Sequence, residues 1–321
     1  MNIDMIRAAA DRIAGHARVT PLLSSPFVDE IAGRKVFVKA ECLQVTGSFK
    51  FRGGMSSVTG LKPEKGVLAF SSGNHAQGVA MACKMAGLPA VIVMPEDAPA
   101  VKVANTRALG AEVVTYDRAG GESREAIGEA IAAERGLTLV RPYDEPYVIA
   151  GQGTCGLEIA EQAAEAGVAE ADVLVCCGGG GLTSGIALAC EADAPGLRIR
   201  PVEPEGFDDV IRSQRVGARQ SNNQATGSIC DAILTHSPGE LTFPIIQRLA
   251  GPGIAVTDEE ALQAVAIAFQ RLRIVVEPGG AVALAAALFH GDQIEGDAVI
   301  ATASGGNVDT EVFRQALDRL S

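Results

Sequence analysis

The sequence predicts an α/β protein in which parallel β-sheets are covered by helices on both faces. Short apolar runs of strand length alternate along the chain with longer, alanine-rich stretches of helical length. This alternation is typical of parallel strands that are joined by helices. The composition agrees, because 47% of the residues are apolar while only 4% are aromatic. Small aliphatic side chains therefore carry the packing, which suits close contacts between helices and sheets.

Eight apolar segments predict strands, and two stretches predict clear helices. The strand segments are residues 36–40, 67–71, 90–94, 112–115, 137–140, 172–177, 199–202 and 299–303. Residues 122–135 predict a helix, since Ile127 and Ile131 follow helical spacing and Gly136 is a plausible C-terminal stop. Residues 1–14 predict an amphipathic helix.

Charge and hydropathy exclude several classes of function. A net charge of −12 argues against nucleic acid and against an anionic membrane surface as partners, because both need a basic face. No apolar stretch is long enough to span a bilayer. Residues 1–14 lack the basic start, apolar centre and cleavage site of a secretory signal. We therefore expect a cytoplasmic protein.

The cysteines do not indicate a zinc site or a disulfide framework. Their number is odd, and none forms a CxxC pair. Cys176 and Cys177 end a predicted strand, where a free cysteine behaves as a small hydrophobic residue. The seven cysteines are Cys42, Cys83, Cys155, Cys176, Cys177, Cys190 and Cys230.

Lys50 carries the strongest chemical signal in the chain. It lies among glycine, serine and phenylalanine residues in the run 46–54, which is a poor setting for a solvated surface charge. A lysine in such a setting is suited to form a Schiff base with an aldehyde, provided that burial or nearby positive charge lowers its pKa. The alternative is a surface lysine whose amine reaches solvent.

A glycine run supplies a candidate phosphate site. Gly178–Gly181 follow a predicted strand, and a helix is predicted over residues 182–192. Backbone N–H groups at such a helix start can bind a phosphate. The run is not a Walker A loop, and it does not match GxGxxG, because Ser184 fills the last glycine position. By itself it suits any phosphate ligand or a tight turn, but with Lys50 it suits pyridoxal phosphate (PLP), an aldehyde that carries a phosphate.

Two further runs complete the pattern. Residues 71–75 read Ser-Ser-Gly-Asn-His before a predicted helix, and such a loop presents N–H groups to an anion. Residues 303–307 read Ala-Ser-Gly-Gly-Asn near the C-terminus. Together with the runs around Lys50 and Gly178, in this order, they resemble the fold-type II PLP enzymes, which are tryptophan synthase β-like. Within that group the chain resembles the serine/threonine dehydratase and serine racemase family.

The resemblance implies a domain organisation that composition alone does not give. It implies two doubly wound parallel-sheet domains with the active site in the cleft between them. Residues 59–143 would form the small domain, and residues 1–58 with 144–321 the large PLP-binding domain. Because the sequence ends one helix after Asn307, we expect no C-terminal regulatory domain. The family also suggests a homodimer.

The resemblance also assigns roles around the cofactor. Lys50 would form the Schiff base, Phe49 would lie against the ring, and Gly178, Gly179, Gly180, Gly181 and Leu182 would bind the phosphate. Asn74 matches the residue that bonds the 3′-oxygen, Glu277 a position near the ring, and Ser304 the partner of the pyridine nitrogen. A hydroxyl there does not hold the nitrogen protonated, which suits elimination or racemisation. Taken alone, Phe49 could equally be a core residue and Ser304 a serine in a glycine turn.

Substrate contacts are implied for the loop and for one arginine. Ser71, Ser72, Asn74 and His75 would hold the α-carboxylate, although His75 fits a structural role better than a catalytic one. Ser72 matches the serine that serves as acid or base opposite the lysine in serine racemases, where threonine dehydratases often carry alanine; the alternative is a serine that only lines the loop. Arg124 matches an arginine that reaches the substrate or a second carboxylate, and its alternative is an ion-paired arginine on a helix surface.

A cation site is implied by two carboxylates on a turn after a strand. The resemblance places Mg²⁺ or Ca²⁺ on Glu203, Asp209 and the carbonyl of Phe207. Carboxylate and carbonyl oxygens suit these hard cations. The alternative is an acidic surface loop.

The first functional hypothesis is a PLP-dependent dehydratase, or ammonia-lyase, that acts on L-threonine or L-serine. Lys50 would remove the Cα proton as general base, and the β-hydroxyl would leave. Serine racemisation and dehydration of 3-hydroxyaspartate stay open, because Ser72, Arg124 and the acidic pair fit them as well. The alternative from another class is a non-catalytic protein that binds PLP or a nucleotide.

Overall fold

The computed structural model of the chain describes residues 1–71, 73–98, 100–117 and 120–320, so the predicted acid/base residue Ser72 lies outside the described residues. Within these ranges the strands are β1 (Leu22–Ser24), β2 (Lys35–Lys39), β3 (Val67–Phe70), β4 (Ala90–Pro95), β5 (Glu112–Tyr116), β6 (Thr138–Leu139), β7 (Ala171–Cys176), β8 (Leu197–Pro204), β9 (Ile254–Val256) and β10 (Ala298–Thr302). The α-helices are α1 (Ile3–Ile13), α2 (Pro26–Ala32), α3 (Lys50–Leu61), α4 (Asn74–Ala86), α5 (Ala100–Ala108), α6 (Arg124–Arg135), α7 (Pro146–Glu165), α8 (Gly181–Asp193), α9 (Asp209–Val216), α10 (Thr242–Leu249), α11 (Asp258–Ile267), α12 (Pro278–Phe289) and α13 (Thr310–Leu317).

The strands form two sheets. One has six strands in the order β1-β2-β10-β7-β8-β9, and only β1 runs antiparallel to its neighbour. The other has four parallel strands in the order β5-β4-β3-β6. Every residue of β3, β4 and β7 is buried, as expected where both faces of a parallel sheet are covered. The predicted α/β class with parallel sheets is therefore confirmed.

All eight predicted strands overlap observed ones, and the predicted helices at residues 1–14 and 122–135 are α1 and α6. Ser123 caps α6 by accepting a hydrogen bond from the N–H of Ala126, and Gly136 ends it with a φ of 67°. The sequence analysis missed β1 and β9. Both are three-residue strands at the edges of the six-stranded sheet, too short for a periodic pattern to show.

The two sheets are built from different parts of the chain. The four-stranded sheet is built wholly from residues 67–139, which lie inside the predicted small domain. The predicted boundary between residues 58 and 59 falls within α3, which continues without a break to Leu61. The exact boundaries stay a prediction.

Close helix crossings hold the start of α3 in place. A Cβ placed on Gly78 of α4 would lie 2.9 Å from the carbonyl carbon of Lys50, so only glycine allows this approach. The same holds between α7 and α8, where a Cβ on Gly185 would lie 2.6 Å from the backbone nitrogen of Gly153. These contacts hold α4 against the first residue of α3, Lys50, and hold α7 against α8.

A buried ionic network is centred on Arg52, two residues after Lys50 in α3. Arg52 bonds both oxygens of Glu41, with Nε–Oε2 and Nη2–Oε1 distances of 2.8 and 2.7 Å. It also bonds both oxygens of Glu158, at 2.7 and 2.8 Å. Lys39 completes the network through Glu158 at 2.6 Å and the carbonyl of Thr20 at 2.7 Å. Lys39, Glu41 and Arg52 are all 1% exposed or less, so the network joins β2, α3 and α7 in the protein interior.

No helix among the described residues combines the length and the apolar character needed to cross a membrane.

Candidate active site

Lys50 lies at the wall of a cavity between the lysine helix α3 and the glycine run. Its Nζ donates a hydrogen bond to the carbonyl oxygen of Pro142 at 2.7 Å and lies 5.2 Å from the centre of the Phe49 ring. Burial lowers the pKa of Lys50 to about 8. The described residues include no carboxylate in an ion pair with it. The amine is therefore poised to act as a nucleophile or base close to neutral pH.

This pKa predicts how fast the cofactor-free protein captures an aldehyde. Below pH 8 the Lys50 amine is mostly protonated and cannot attack, whereas above pH 8 it is mostly neutral. We expect the capture rate to rise with pH and to level off above pH 8. An ordinary lysine would reach its plateau at a pH about two units higher. Stopped-flow absorbance with pyridoxal, which lacks a titrating phosphate, measures this profile. A rate that keeps rising to pH 10 would contradict the lowered pKa.

The glycine run forms a tight loop between β7 and α8. Gly180 has a φ of 89°, a left-handed conformation that favours glycine. A Cβ on Gly178 would lie 2.8 Å from the carbonyl oxygen of Ile233, so the loop also needs glycine for space. The first N–H groups of α8 have no acceptor within the helix and bear the positive end of its dipole. Leu182 packs into the core and anchors the helix start.

The cavity fits a phosphorylated aldehyde. Lys50 and the loop Gly178–Leu182 line the same cavity, so a reactive amine and an anion site face one space. Gln152 and Thr235 also line it, and their side-chain polar atoms Oε1, Nε2 and Oγ1 are buried without a hydrogen-bond partner. Buried polar atoms in native proteins are nearly always paired, so these atoms indicate a polar ligand.

Ser304 and Glu277 reach the same region from the C-terminal part of the chain. The carbonyl oxygen of Ser304 accepts a hydrogen bond from the N–H of Phe49 at 3.1 Å, which joins the end of β10 to the start of α3. Ser304 is 4% exposed. The N–H of Glu277 donates to the carbonyl of Gly305 at 3.0 Å, and burial raises the pKa of the Glu277 carboxyl to about 7.

Asn74 links this region to the small sheet. Its Nδ2 donates to Glu277 Oε1 at 2.6 Å, and its Oδ1 accepts from Asn307 Nδ2 at 2.7 Å. Asn307 is held in turn by the carbonyl of Thr46 at 2.9 Å. The structure thus brings Asn74, Glu277 and Ser304 into one region, and their contacts to a cofactor stay a prediction.

The loop of residues 71–75 follows β3, at the carboxyl end of the four-stranded sheet. Ser71 Oγ accepts a hydrogen bond from the N–H of Gly73 at 3.2 Å. His75 is buried, and its Nε2 lies 3.0 Å from the carbonyl of Val140. Burial, and secondarily the charge of Lys50, lower the pKa of His75 to about 3, so the ring is neutral. These contacts agree with a structural role for His75. The roles of Ser71 and Ser72 stay predictions.

Arg124 lies at the N-terminus of α6, half exposed, above the ring of Phe70 at 5.5 Å. Phe70 is the last residue of β3, immediately before the loop of residues 71–75. Burial raises the pKa of the hydroxyl of Tyr143, a residue that lines the cavity, and the positive charge of Arg124 partly offsets this rise. Its recorded ion pair is with its neighbour Glu125, which is 52% exposed. Arg124 thus lies beside the end of β3 and is ion-paired there, and its substrate-binding role stays a prediction.

Glu203 and Asp209 lie together beneath the start of α9. Glu203 accepts hydrogen bonds from the N–H groups of Val210 and Ile211 at 3.1 and 2.8 Å. Asp209 Oδ1 accepts from Asn222 at 2.7 Å, whereas Oδ2 is buried without a partner. Burial raises the pKa of Glu203 far above its usual value and that of Asp209 to about 7. The pair is thus interior, not the acidic surface loop of the alternative hypothesis.

Among the described residues no group of three or more His, Cys, Asp and Glu side chains is arranged to hold a metal ion. The predicted site needs only two carboxylates and the carbonyl of Phe207, so this result does not test it. The unpaired Oδ2 of Asp209 fits a cation there, and the site stays a prediction.

The sequence analysis missed several cavity residues. Tyr143 packs over the glycine loop, since a Cβ on Gly179 would lie 2.3 Å from its ring, and it carries no motif. Ile233 and Thr235 come from a segment without a recognisable pattern. Gln152 could have been found from the sequence, because it is a polar residue between two glycines in an otherwise apolar helical stretch.

Comparisons with known proteins identify the family of the chain. The family model described as "Pyridoxal-phosphate dependent enzyme" matches residues 13–305. An L-threo-3-hydroxyaspartate ammonia-lyase from Saccharomyces cerevisiae is 43% identical over 95% of this chain and 93% of its own length. Two solved structures are similar: a threonine deaminase from T.th. (TM-score 0.91, 44% identity, 96% of this chain and 99% of that chain) and maize serine racemase (TM-score 0.91, 38% identity, 99% and 97%).

These relatives match 95% or more of the chain and are enzymes, so a non-catalytic binder is not supported. The cofactor predicted from Lys50 and the glycine loop is confirmed by the family match. The chain therefore belongs to the fold-type II PLP-dependent enzymes, in the family that contains the hydroxy-amino-acid ammonia-lyases and the serine racemases.

Proposed function

We propose that this enzyme is an ammonia-lyase that dehydrates 3-hydroxyaspartate. The observation that carries the proposal is the position of Arg124, whose guanidinium lies over the ring of Phe70 at the end of β3, 5.5 Å from the ring centre. A guanidinium can bind a carboxylate through two parallel hydrogen bonds. L-threonine and L-serine carry no second carboxylate for it, whereas 3-hydroxyaspartate does. The yeast relative with this named activity supports the same substrate.

The residues of the chain would divide the work as follows. PLP would be held through its aldehyde by Lys50, and once the substrate amine has replaced the Lys50 amine, it would supply an acceptor for the electrons left at Cα. Lys50 takes the Cα proton, and its low pKa suits that task. Ser304 offers the ring nitrogen a neutral hydroxyl, and the loop of residues 71–75 offers N–H groups to the α-carboxylate. The β-hydroxyl would leave as water, taking up one proton in place of the one that Lys50 removed from Cα, and the enamine that is left would hydrolyse to the 2-oxo acid and ammonia.

Replacing Arg124 by methionine tests the substrate. We expect kcat/KM for 3-hydroxyaspartate to fall by about 10- to 100-fold, because a charge-assisted hydrogen bond to a carboxylate is lost. The values for L-threonine and L-serine should change little. The measurement is release of 2-oxo acid from each isomer of 3-hydroxyaspartate and from the two other amino acids.

Arg135→Met is the matched control for this variant. Arg135 lies at the other end of α6 and pairs with the exposed Glu112, so its loss should affect no substrate. If Arg124→Met lowered kcat/KM equally for all substrates, Arg124 would have a structural role and would not bind the second carboxylate. Wild-type enzyme that prefers L-threonine or L-serine would overturn the proposal.

L-threonine or L-serine dehydration is the second candidate. The observation in its favour is the pair between Arg124 and Glu125, with Nε–Oε1 at 2.7 Å, because a guanidinium already neutralised has less need of a substrate carboxylate. The structural similarity to a threonine deaminase supports it as well. The same panel of substrates separates the two candidates.

We also propose that Glu203, Asp209 and the carbonyl of Phe207 bind a divalent cation such as Mg²⁺ or Ca²⁺. The buried Asp209 Oδ2 without a partner supports this. A cation that binds only the folded state raises the unfolding temperature. We expect each cation to raise that temperature for the wild-type enzyme, and EDTA to reverse the effect.

Asp209→Asn should abolish the cation-dependent rise in unfolding temperature. It keeps the shape of the side chain and one oxygen while it removes the charge. Asp208→Asn is the matched control, since Asp208 is the neighbouring carboxylate and pairs with Arg212. If wild-type enzyme shows no rise with either cation, the proposed site does not exist.

A further inference from the structure

Gln152 is a buried polar side chain without a partner in the wall of the cavity. It lies in α7, is 1% exposed, and neither its Oε1 nor its Nε2 atom has a hydrogen bond. A carboxamide carries two donors and an acceptor, so burying all of them unpaired is costly. Such a group inside a ligand cavity indicates that the ligand completes its hydrogen bonds.

The carboxamide lies between the phosphate loop and the lysine helix. A Cβ placed on Gly181 would come within 2.5 Å of Gln152 Oε1, so one end of the carboxamide contacts the first residue of α8. A Cβ on Gly53 would come within 3.2 Å of Nε2, so the other end lies against α3, about one turn beyond Lys50. Both glycines leave room that the carboxamide partly fills.

The end that faces Gly181 lies where an anion is expected. The first N–H groups of α8 point out of the helix there, and the helix dipole favours negative charge. Oxygen and nitrogen of a carboxamide exchange places by rotation, and the hydrogen-bond partner decides which orientation is adopted. With its NH₂ group turned toward Gly181, Gln152 would donate into this anion site.

A neutral donor suits this position better than a cationic one. Lysine or arginine here would place a positive charge beside Lys50 and would lower the pKa of Lys50 beyond the effect of burial. A carboxamide strengthens anion binding without that charge.

We propose that Gln152 binds the phosphate group of PLP, donating a hydrogen bond from its NH₂ group beside Gly181. Because the same side chain lies against Gly53, it also holds the phosphate loop at a set spacing from the lysine helix. The inference rests on the cofactor, which the family match supports, and not on the choice of substrate.

The test compares PLP with pyridoxal, which has the same ring and aldehyde but no phosphate. Gln152→Met keeps the length of the side chain and removes its polar atoms. We expect the affinity of the cofactor-free variant for PLP to fall by about 10- to 100-fold, the usual effect of one hydrogen bond to a charged group. Affinity for pyridoxal should stay the same. Titration followed by the visible absorbance of the bound aldehyde measures both.

Gln152→Glu is an independent test, because the glutamate side chain has nearly the same shape as glutamine. A carboxylate would repel the phosphate, so PLP binding should weaken more than in Gln152→Met, while pyridoxal binding should again be retained. The ³¹P resonance of bound PLP should also move in the variants. Gln214→Met is the control: Gln214 lies in α9, donates to the carbonyl of Gly251 at 3.1 Å, and should affect neither ligand.

Two results would overturn the inference. Equal loss of affinity for PLP and pyridoxal would show that Gln152 only packs the cavity wall. Unchanged PLP affinity in both Gln152 variants would show that the phosphate does not use it. Neither result depends on which amino acid the enzyme consumes, so this test and the substrate test fail separately.

Discussion

Replacing Lys50 by alanine is expected to lower 2-oxo acid formation by at least about 10³-fold, since it removes both the covalent anchor of the cofactor and the general base. The same change should leave the protein folded. Burial disfavours the charged amine, as its pKa of about 8 indicates, so the fold gains little from it. Activity is measured with the substrate panel, and unfolding temperature and circular dichroism report on the fold.

Lys50→Arg tests whether the alanine variant is inactive because it has lost the covalent anchor and the general base, or only because it has lost a positive charge. Arginine keeps a positive charge but forms no Schiff base and does not act as a base near neutral pH. We expect it to be as inactive as alanine, and neither variant should fix the cofactor on treatment with borohydride. An alanine variant that kept full activity would refute the role of Lys50.

Replacing Arg52 by methionine should have the largest effect on stability, about 3–5 kcal/mol. Arg52 is 1% exposed and bonds Glu41, which is 0% exposed, as well as Glu158. Burial alone would raise the pKa of Glu41, and the Arg52 charge and hydrogen bonds bring it below its usual value. Without Arg52, Glu41 is left charged and buried or must take up a proton. Urea denaturation or the unfolding temperature of the variant measures the loss.

Removing Glu41 together with Arg52 should cost less than removing Arg52 alone. The double variant Glu41→Leu/Arg52→Met leaves Lys39 and Glu158 as a balanced pair at 2.6 Å. Arg248→Met is the control, because its ion pair with Glu191 is exposed to solvent and exposed pairs contribute little to stability. If Arg52→Met were as mild as Arg248→Met, the network would not contribute to stability.

The sequence predicted those parts of the enzyme that depend on local pattern. The long parallel strands showed as apolar runs because both faces of β3, β4 and β7 are buried. Lys50 and the loop Gly178–Gly181 were found because their chemistry needs unusual neighbours: glycine where a Cβ would collide, and a lysine without a solvated setting.

The rest depends on contacts between distant residues. Nothing local shows that Arg52 meets Glu158, since 106 residues separate them and each is an ordinary helix residue in sequence. Tyr143 and Thr235 line the cavity because distant parts of the chain fold together there, with Tyr143 packed over Gly179. Gln152 was visible as a polar residue between glycines, but its lack of a partner is a property of the packed structure.

The order of strands has a consequence for biosynthesis. β10, the last strand in the described chain, does not lie at an edge of its sheet but between β2 and β7, with Ile300 paired to Phe37 on one side and Val173 on the other. A ribosome delivers the chain from the N-terminus, so most of the protein emerges before this central strand does. Until then β2 and β7 have no strand between them and Ser304 cannot meet Phe49. Nascent chains released before β10 should therefore stay colourless with PLP, and the yellow colour should report completion of the sheet.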